Sequence, residues 1–231
     1  MLFYSRPNIT PVMKKTAVIT ALVAFVSIIF LPGCNLSSLR EGFDKEDGKK
    51  VLAKAQFDRV FVDSTAELQV YASMNRSDEL KNEDATLRFA DPYKEIYLLV
   101  FKENVADFKT IVESGEETKR QVSKSFSWKP PPPDTSLITI YGELTTGVAT
   151  KKLENGRDSL LTEKMLHGMQ YRAYAMTGSY KKIPLFYLKG VYKSNRYFYQ
   201  VVVWTLARRR NLYEGVMTKM IESLQEESSS E

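Results

Sequence analysis

Apolar and polar positions divide the chain into three stretches. Residues 17–31 are almost unbroken apolar (AVITALVAFVSIIFL), residues 35–54 are polar and of mixed charge, and from Gln56 onward the two kinds interleave as they do in a packed domain. In that third stretch short strands are predicted at 60–62 and 67–71. The alternation through Leu87 and Phe89 predicts another at 86–90. Residues 95–102 (EIYLLVFK) are apolar on both faces, the mark of a strand inside a sheet. Asn104 then sits where an N-cap would, with Asp107 in the first turn and Val105, Phe108, Ile111 and Val112 at helical spacing. Residues 136–149 fit a helix through Leu137, Ile138, Tyr141, Leu144 and Val148, and their β-branched content also fits a strand; helix is the reading adopted. Three strands follow at 170–177, 182–192 and 197–205, with a polar turn at 193–196. Asn211 and Glu214 have the spacing of a capping box ahead of a helix whose apolar face is Leu212, Val216, Met217, Met220, Ile221 and Leu224. The tight 182–205 hairpin requires antiparallel pairing, and strands apolar on both faces require a cover on each side. The predicted fold is therefore a mixed α/β (α+β) domain, an antiparallel sheet with helices on both faces in a three-layer α/β/α sandwich.

The first apolar run carries a different message. Lys14 and Lys15 precede it, no charged residue occurs from Thr16 to Leu39, and Pro32, Gly33 and Cys34 follow. About 15 residues of helix span roughly 22 Å at ~1.5 Å each, short of the ~30 Å of a hydrocarbon core, and Pro32 and Gly33 break the helix where a retained transmembrane anchor should continue. The order of positive, apolar and small residues is that of a secretory signal. Leu31, Pro32, Gly33 and Cys34 resemble the lipobox of bacterial lipoproteins, with Pro32 a less common occupant of its position. The resemblance implies cleavage between Gly33 and Cys34, diacylglycerol on the Cys34 thiol and acylation of the new amine by a fatty acid such as palmitate. Two or more acyl chains hold stably where one does not. In enterobacteria an Asp after the cysteine resembles an inner-membrane retention signal; Asn35 stands there instead, which points to the outer membrane, facing the periplasm. Met13 opens a more usual signal (MKKTAV) than Met1 does.

The expected organisation is a signal peptide at 1–33, a flexible tether at 34–55, a folded domain at 56–225 and a disordered tail at 226–231. Net charge is +5, from 33 Lys and Arg against 28 Asp and Glu. Three of the basic residues lie in the signal, leaving 30 against 28, far from the positive surface by which a nucleic-acid partner displaces counterions. The chain has a single cysteine, so an intrachain disulfide is impossible.

Residues 166–224 carry a Gly168-Met169 turn into a strand, two further strands, the segment Phe198 to Thr205 (FYQVVVWT) and a closing helix ending near Ser223 and Leu224. Together with the stretch at 79–103 this resembles the PsbP-like, DcrB-like and Mog-like superfamily. The resemblance implies an antiparallel sheet between helices, and a role as an adaptor or assembly factor more than as an enzyme.

Candidate chemistry is sparse. His167 is the single histidine, which excludes a cluster of histidines as a metal site, and beside Gly168 it reads as a solvated turn residue; no metal and no cofactor is expected. No Gly-x-Ser-x-Gly elbow accompanies it, and no catalytic residue is assigned. Glu113, Glu116 and Glu117 read as a solvated face. Arg208, Arg209 and Arg210 are a candidate contact for an anionic ligand or a partner, or else a solvated loop, placed where a helix dipole disfavours them. Tyr187, Tyr192, Tyr197 and Tyr199 are either core or an aromatic binding face. The expected function is that of a non-enzymatic, lipid-anchored envelope protein that binds a protein partner. A lipid-anchored hydrolase using carboxylates and a small-ligand carrier are the alternatives.

Overall fold

A computed structural model of the chain describes residues 48–113 and 136–226. The signal, Cys34, Glu116 and Glu117, and a run of four prolines at 130–133 lie outside the described residues, as does the side chain of Glu113. In chain order the elements are α1 (Gly48–Lys54), β1 (Phe57–Phe61), β2 (Ala66–Tyr71), β3 (Asn75–Arg76), β4 (Leu87–Asp91), β5 (Ile96–Asn104), α2 (Val105–Glu113), α3 (Leu137–Lys151), β6 (Glu154–Leu166), β7 (Met169–Tyr180), β8 (Ile183–Lys193), β9 (Tyr197–Leu206), a 3-10 turn (Ala207–Arg209), α4 (Arg210–Ile221) and β10 (Gln225–Glu226).

Seven strands form one sheet in the order β3-β4-β5-β9-β8-β7-β6, and its paired neighbours are antiparallel. β5, β8 and β9 lie inside it because both of their faces are apolar. On one face Leu98, Val100, Leu188, Val201 and Val203 pack against α4 through Val216, Met217, Met220 and Ile221. On the other, Phe101, Val202, Trp204, Tyr187 and Met176 form one cluster, and Val191, Tyr174 and Phe198 form a second with Phe108 of α2 and Ile138, Tyr141 and Leu144 of α3. This is a mixed α+β sandwich with helices on both faces of an antiparallel sheet. Burial of this apolar surface, at about 25 cal/mol per Å², drives the layers together.

The local signals for α2 and α3 are realised. Asn104 Oδ1 accepts from the Ala106 amide at 2.8 Å. α3 begins at Leu137 behind Ser136, whose Oγ accepts from the Thr139 amide at 3.4 Å. Two of its threonines are satisfied within the helix: Thr145 and Thr150 donate to the Tyr141 and Thr146 carbonyls at 2.8 and 2.9 Å. Gly142 is required by packing, since a Cβ there would lie 2.4 Å from the Tyr174 hydroxyl.

Four expectations need correction. β1 and β2 do not join the main sheet; with β10 they make a separate three-stranded sheet over the α4 face. The tether does not extend to residue 55, because 48–54 form α1, whose Val51 and Leu52 pack onto the core beside Gly215 of α4. The tail does not begin at Glu226, which pairs with Ala66 in β10. The capping box is absent: Asn211 lies inside α4, Arg209 holds the N-cap position without a side-chain hydrogen bond, and both Glu214 oxygens accept from Arg210 at 3.0 Å. An i,i+4 ion pair takes the glutamate that the box would need. Finally, β6 occupies a stretch to which the apolar pattern assigns no element. Its residues are mostly exposed, so alternation is faint.

Candidate functional site

The arginine triplet is held by the chain's own carboxylates. Glu95 Oε1 accepts from Arg208 Nη2 at 2.5 Å and Glu95 Oε2 from Arg209 Nε at 3.1 Å, while Arg210 pairs with Glu214 and lies 4.3 Å from the Phe186 ring centroid. The Glu214 pair raises the Arg210 pKa. Glu95 sits at φ 57°, a left-handed conformation rare for a glutamate, in the β4–β5 connection. The sequence could not supply this partner, which is more than a hundred residues away. The pairs offset the positive charge ahead of α4, while the Arg208 and Arg210 side chains stay 58% and 47% exposed.

The other residues singled out from sequence separate. His167 lies at φ 50° beside Gly168 at φ 77°, forming the two-residue turn between β6 and β7, and its Nε2 is 3.0 Å from the Glu222 carbonyl. Tyr187 stacks on Trp204 on the α3 face, with centroids 5.9 Å apart. Tyr192 points to the α4 face and donates to the Ile221 carbonyl at 2.6 Å. Tyr199 donates to Glu226 Oε1 at 2.9 Å, and the Tyr197 ring lies 3.6 Å from Lys102 Nζ. The four tyrosines are divided between two faces and do not make one aromatic surface.

A polar seam that the sequence did not disclose lies between α3 and the sheet. Lys189, 0% exposed in β8, donates to Thr145 Oγ1 at 2.5 Å. Nearby, Gln200 Nε2 donates to the Tyr141 hydroxyl at 2.7 Å and to Oε1 of half-buried Glu103 at 3.2 Å. Burial pushes the Lys189 pKa down to about 7, against the opposing charges of Glu103 and Asp158. Burial likewise raises the Glu103 carboxyl, although Tyr141, Lys189 and Gln200 oppose it, and raises the Tyr141 phenol. Among the described residues, Glu103 Oε2, Gln200 Oε1, Thr146 Oγ1 and the Tyr174 hydroxyl find no hydrogen-bond partner. A lysine that is neutral near pH 7 is a chemically capable nucleophile, but this one is sealed from solvent, so the seam bears on stability rather than on a substrate. A separate cleft of about 260 Å³, lined by Phe57, Arg59, Glu67, Gln69, Ser223 and Gln225, is polar, and Glu67 Oε1 already bonds Gln225 and Arg59 at 2.5 Å each.

Exposed apolar side chains single out β6. Leu160, Leu161 and Met165 are 46%, 54% and 63% exposed on the last strand of the main sheet, whose far edge has no neighbouring strand among the described residues. Register shifts interrupt its pairing with β7 between Glu154 and Arg157 and between Leu160 and Thr162. Isolated exposed apolar residues are ordinary; here three lie on one strand, while Phe61 and Tyr93 are exposed elsewhere.

Among the described residues no group of three or more His, Cys, Asp or Glu side chains is placed to hold a metal, and no helix is long and apolar enough to cross a membrane. No protein-family model and no curated protein matches the chain. Among solved structures, it is similar to cyanobacterial PsbP (CyanoP) from Synechocystis sp. PCC 6803, at 13% identity, covering 74% of this chain and 92% of that one with a TM-score of 0.46. It is also similar to LpqN of Mycobacterium tuberculosis, a protein involved in cell envelope biogenesis, at 12% identity, covering 75% and 91% with a TM-score of 0.44. Likeness at this level assigns neither family nor activity.

Proposed function

We propose that this chain is a lipid-anchored, non-catalytic binding protein of the bacterial cell envelope, held through acyl chains on Cys34 and engaging a protein partner. The reading rests on one observation: the outer strand β6 presents Leu160, Leu161 and Met165 on an edge that has no neighbouring strand among the described residues. Two further points support it. Lys14, Lys15, the apolar run and Leu31-Pro32-Gly33-Cys34 have the order of a lipoprotein signal, and Asn35 favours the outer membrane, facing the periplasm. The candidate charges are also spent internally, Arg208 and Arg209 on Glu95 and Arg210 on Glu214.

Two measurements on cells test the proposal. Mass spectrometry of the mature N-terminus should find a diacylglyceryl cysteine at position 34, and Cys34→Ala should abolish both lipid and membrane retention. A photocrosslinking residue at position 161 should yield one defined protein adduct. An unlipidated Cys34 defeats the anchor, and crosslinkers over the whole domain surface that yield no adduct defeat the binding role.

A further inference from the structure

The outer face of the small sheet sets exposed cations among aromatic rings. Residues directly opposite in an antiparallel pair share a face, so the register places Phe57, Arg59 and Phe61 of β1 beside Tyr71, Gln69 and Glu67 of β2, with Gln225 of β10 next to Glu67. The alternate set, Val60 with Leu68 and Val70, turns to the core. On the outer set Phe61 is 52% exposed and the Arg59 side chain 67%. Two further cations reach it from neighbouring elements. Lys219 of α4 stands 4.2 Å from the Phe57 ring centroid, and Lys94 of the β4–β5 connection stands 4.5 Å from that of Tyr71. The Phe57 and Tyr71 rings are 6.0 Å apart, so one row runs cation, ring, ring, cation.

The carboxylates beside these cations are covered, and the cations project. Glu67 is 3% exposed and is held by Arg59 and Gln225, while buried Asp91 lies 3.8 Å from half-exposed Lys94. Asp58 is exposed but belongs to the alternate face of β1, opposite Val70. The chain enters the domain at the same place. α1 leads into β1 and lies along α4, with Gly48 against the Asn211 carbonyl and Leu52 against Gly215, one turn before Lys219. It contributes Lys49, Lys50 and Lys54 and no acidic residue. Thirteen residues, 35–47, separate it from Cys34. A flexible chain of that length spans about 20 Å, so the face beside α1 is the one held nearest the anchor.

Resting on the lipid anchor proposed above, we infer that the outer face of the β1–β2–β10 sheet lies against an anionic phospholipid surface, with Arg59, Lys94 and Lys219 toward the phosphates and the Phe61 ring at the acyl boundary. Basic side chains interleaved with apolar rings match that layer: the charges meet the headgroups, and the exposed ring leaves water for the hydrocarbon edge. The acyl chains on Cys34 supply the attachment, and this face supplies the orientation of the domain on the bilayer.

Hydroxyl-radical footprinting of the full chain tests this. The chain is reconstituted in vesicles of phosphatidylcholine, either alone or with about one third phosphatidylglycerol as the anionic lipid. Oxidation is followed at Phe61, with Tyr180 and Ile183 on the α3 side of the main sheet as references. At about fivefold in favour of contact per cation, Phe61 should oxidise at least about threefold more slowly on the anionic vesicles, with the references unchanged. Salt at about 0.5 M should restore the rate. Arg59→Gln with Lys219→Gln should also restore it, and Lys50→Gln with Lys219→Gln is a second variant should the first disturb Glu67. Equal rates on the two vesicles, or protection of the references in place of Phe61, would overturn the inference. So would protection of Phe61 already complete in neutral detergent, whether lost on removing residues 227–231 or accompanied by a dimer in sedimentation. The mass of the peptide bearing Cys34 in the same digest reports the lipid. With a bare thiol the apolar run at 17–31 still holds the chain at the vesicle, so a failed anchor and a failed orientation are read separately.

Discussion

The buried seam gives the sharpest quantitative prediction, through Lys189→Met. Methionine keeps most of the stem's volume and removes the charge. In the unfolded chain the lysine protonates near its ordinary value of 10.5, and in the folded protein near 7. Between those values the unfolded state binds a proton that the native state refuses. Stability must therefore rise with pH across the window, and it is lost as pH falls toward 7. The slope for one group approaches ~1.4 kcal/mol per pH unit, so from pH 7 to 9.5 Lys189 should contribute about 3 kcal/mol of rising stability. Lys152, also shifted down by burial, acts with the same sign in both proteins and cancels in the comparison. Glu103 has a raised carboxyl, so its contribution falls as pH rises through its folded value. Losing the Lys189 charge raises it further, which widens the difference between the two proteins. The window stops at 9.5 because Tyr141, Tyr171 and Tyr192, all raised by burial, begin to lose stability once their unfolded counterparts ionise near 10. Urea denaturation at half-unit pH steps, followed by tryptophan fluorescence, measures the difference. Wild type should gain on the variant steadily with pH. Curves parallel to within about 0.5 kcal/mol, the scale of a neutral surface change, would show that Lys189 is not buried as a titrating group.

Other predictions address separate parts of the molecule. The β7–β8 turn places Lys181 at φ 48° and Lys182 at φ 66°, where asparagine and glycine are preferred, so Lys181→Asn with Lys182→Gly should raise stability by about 1–2 kcal/mol, read as a higher urea midpoint. Gly142→Ala drives a methyl toward the Tyr174 hydroxyl at 2.4 Å and should cost about 1–3 kcal/mol, seen as a lower melting temperature. Glu95→Gln keeps the fold but takes the charge from Arg208 and Arg209; it should cost about 1 kcal/mol, and the loss should shrink at high salt. Leu160→Ser with Met165→Ser should leave stability within about 0.5 kcal/mol per site and abolish the adduct formed from position 161.

Legibility varied with how local each determinant was. α2 could be read from Asn104 and its apolar spacing because a cap and a periodic face are contained within a few residues. The capping box at Asn211 failed because Glu214 had a competing local partner in Arg210, and spacing alone cannot rank the two. β6 went unread because an edge strand with solvent on most sides needs no apolar alternation, and its bulge breaks what alternation there is. The pairing of Arg208 and Arg209 could not be read because Glu95, which offsets two members of the triplet, is distant in sequence. Lys189 was hidden inside an apolar run, where one charged residue at a strand position does not reveal which way it points.

The sequence by itself determined the inner strands of the main sheet and the helices at 105–113, 137–151 and 210–221, the antiparallel sheet with a cover on each face, and the residues at 1–34 that read as a signal and lipid site, because these follow from hydrophobic periodicity and short-range order. Tertiary structure decided which strands left the main sheet to join β10, which charges neutralise one another, and which strand ends the main sheet among the described residues. Those outcomes depend on contacts between segments far apart in the chain, where the free energy of burial and pairing is settled by three-dimensional neighbours that no local pattern encodes.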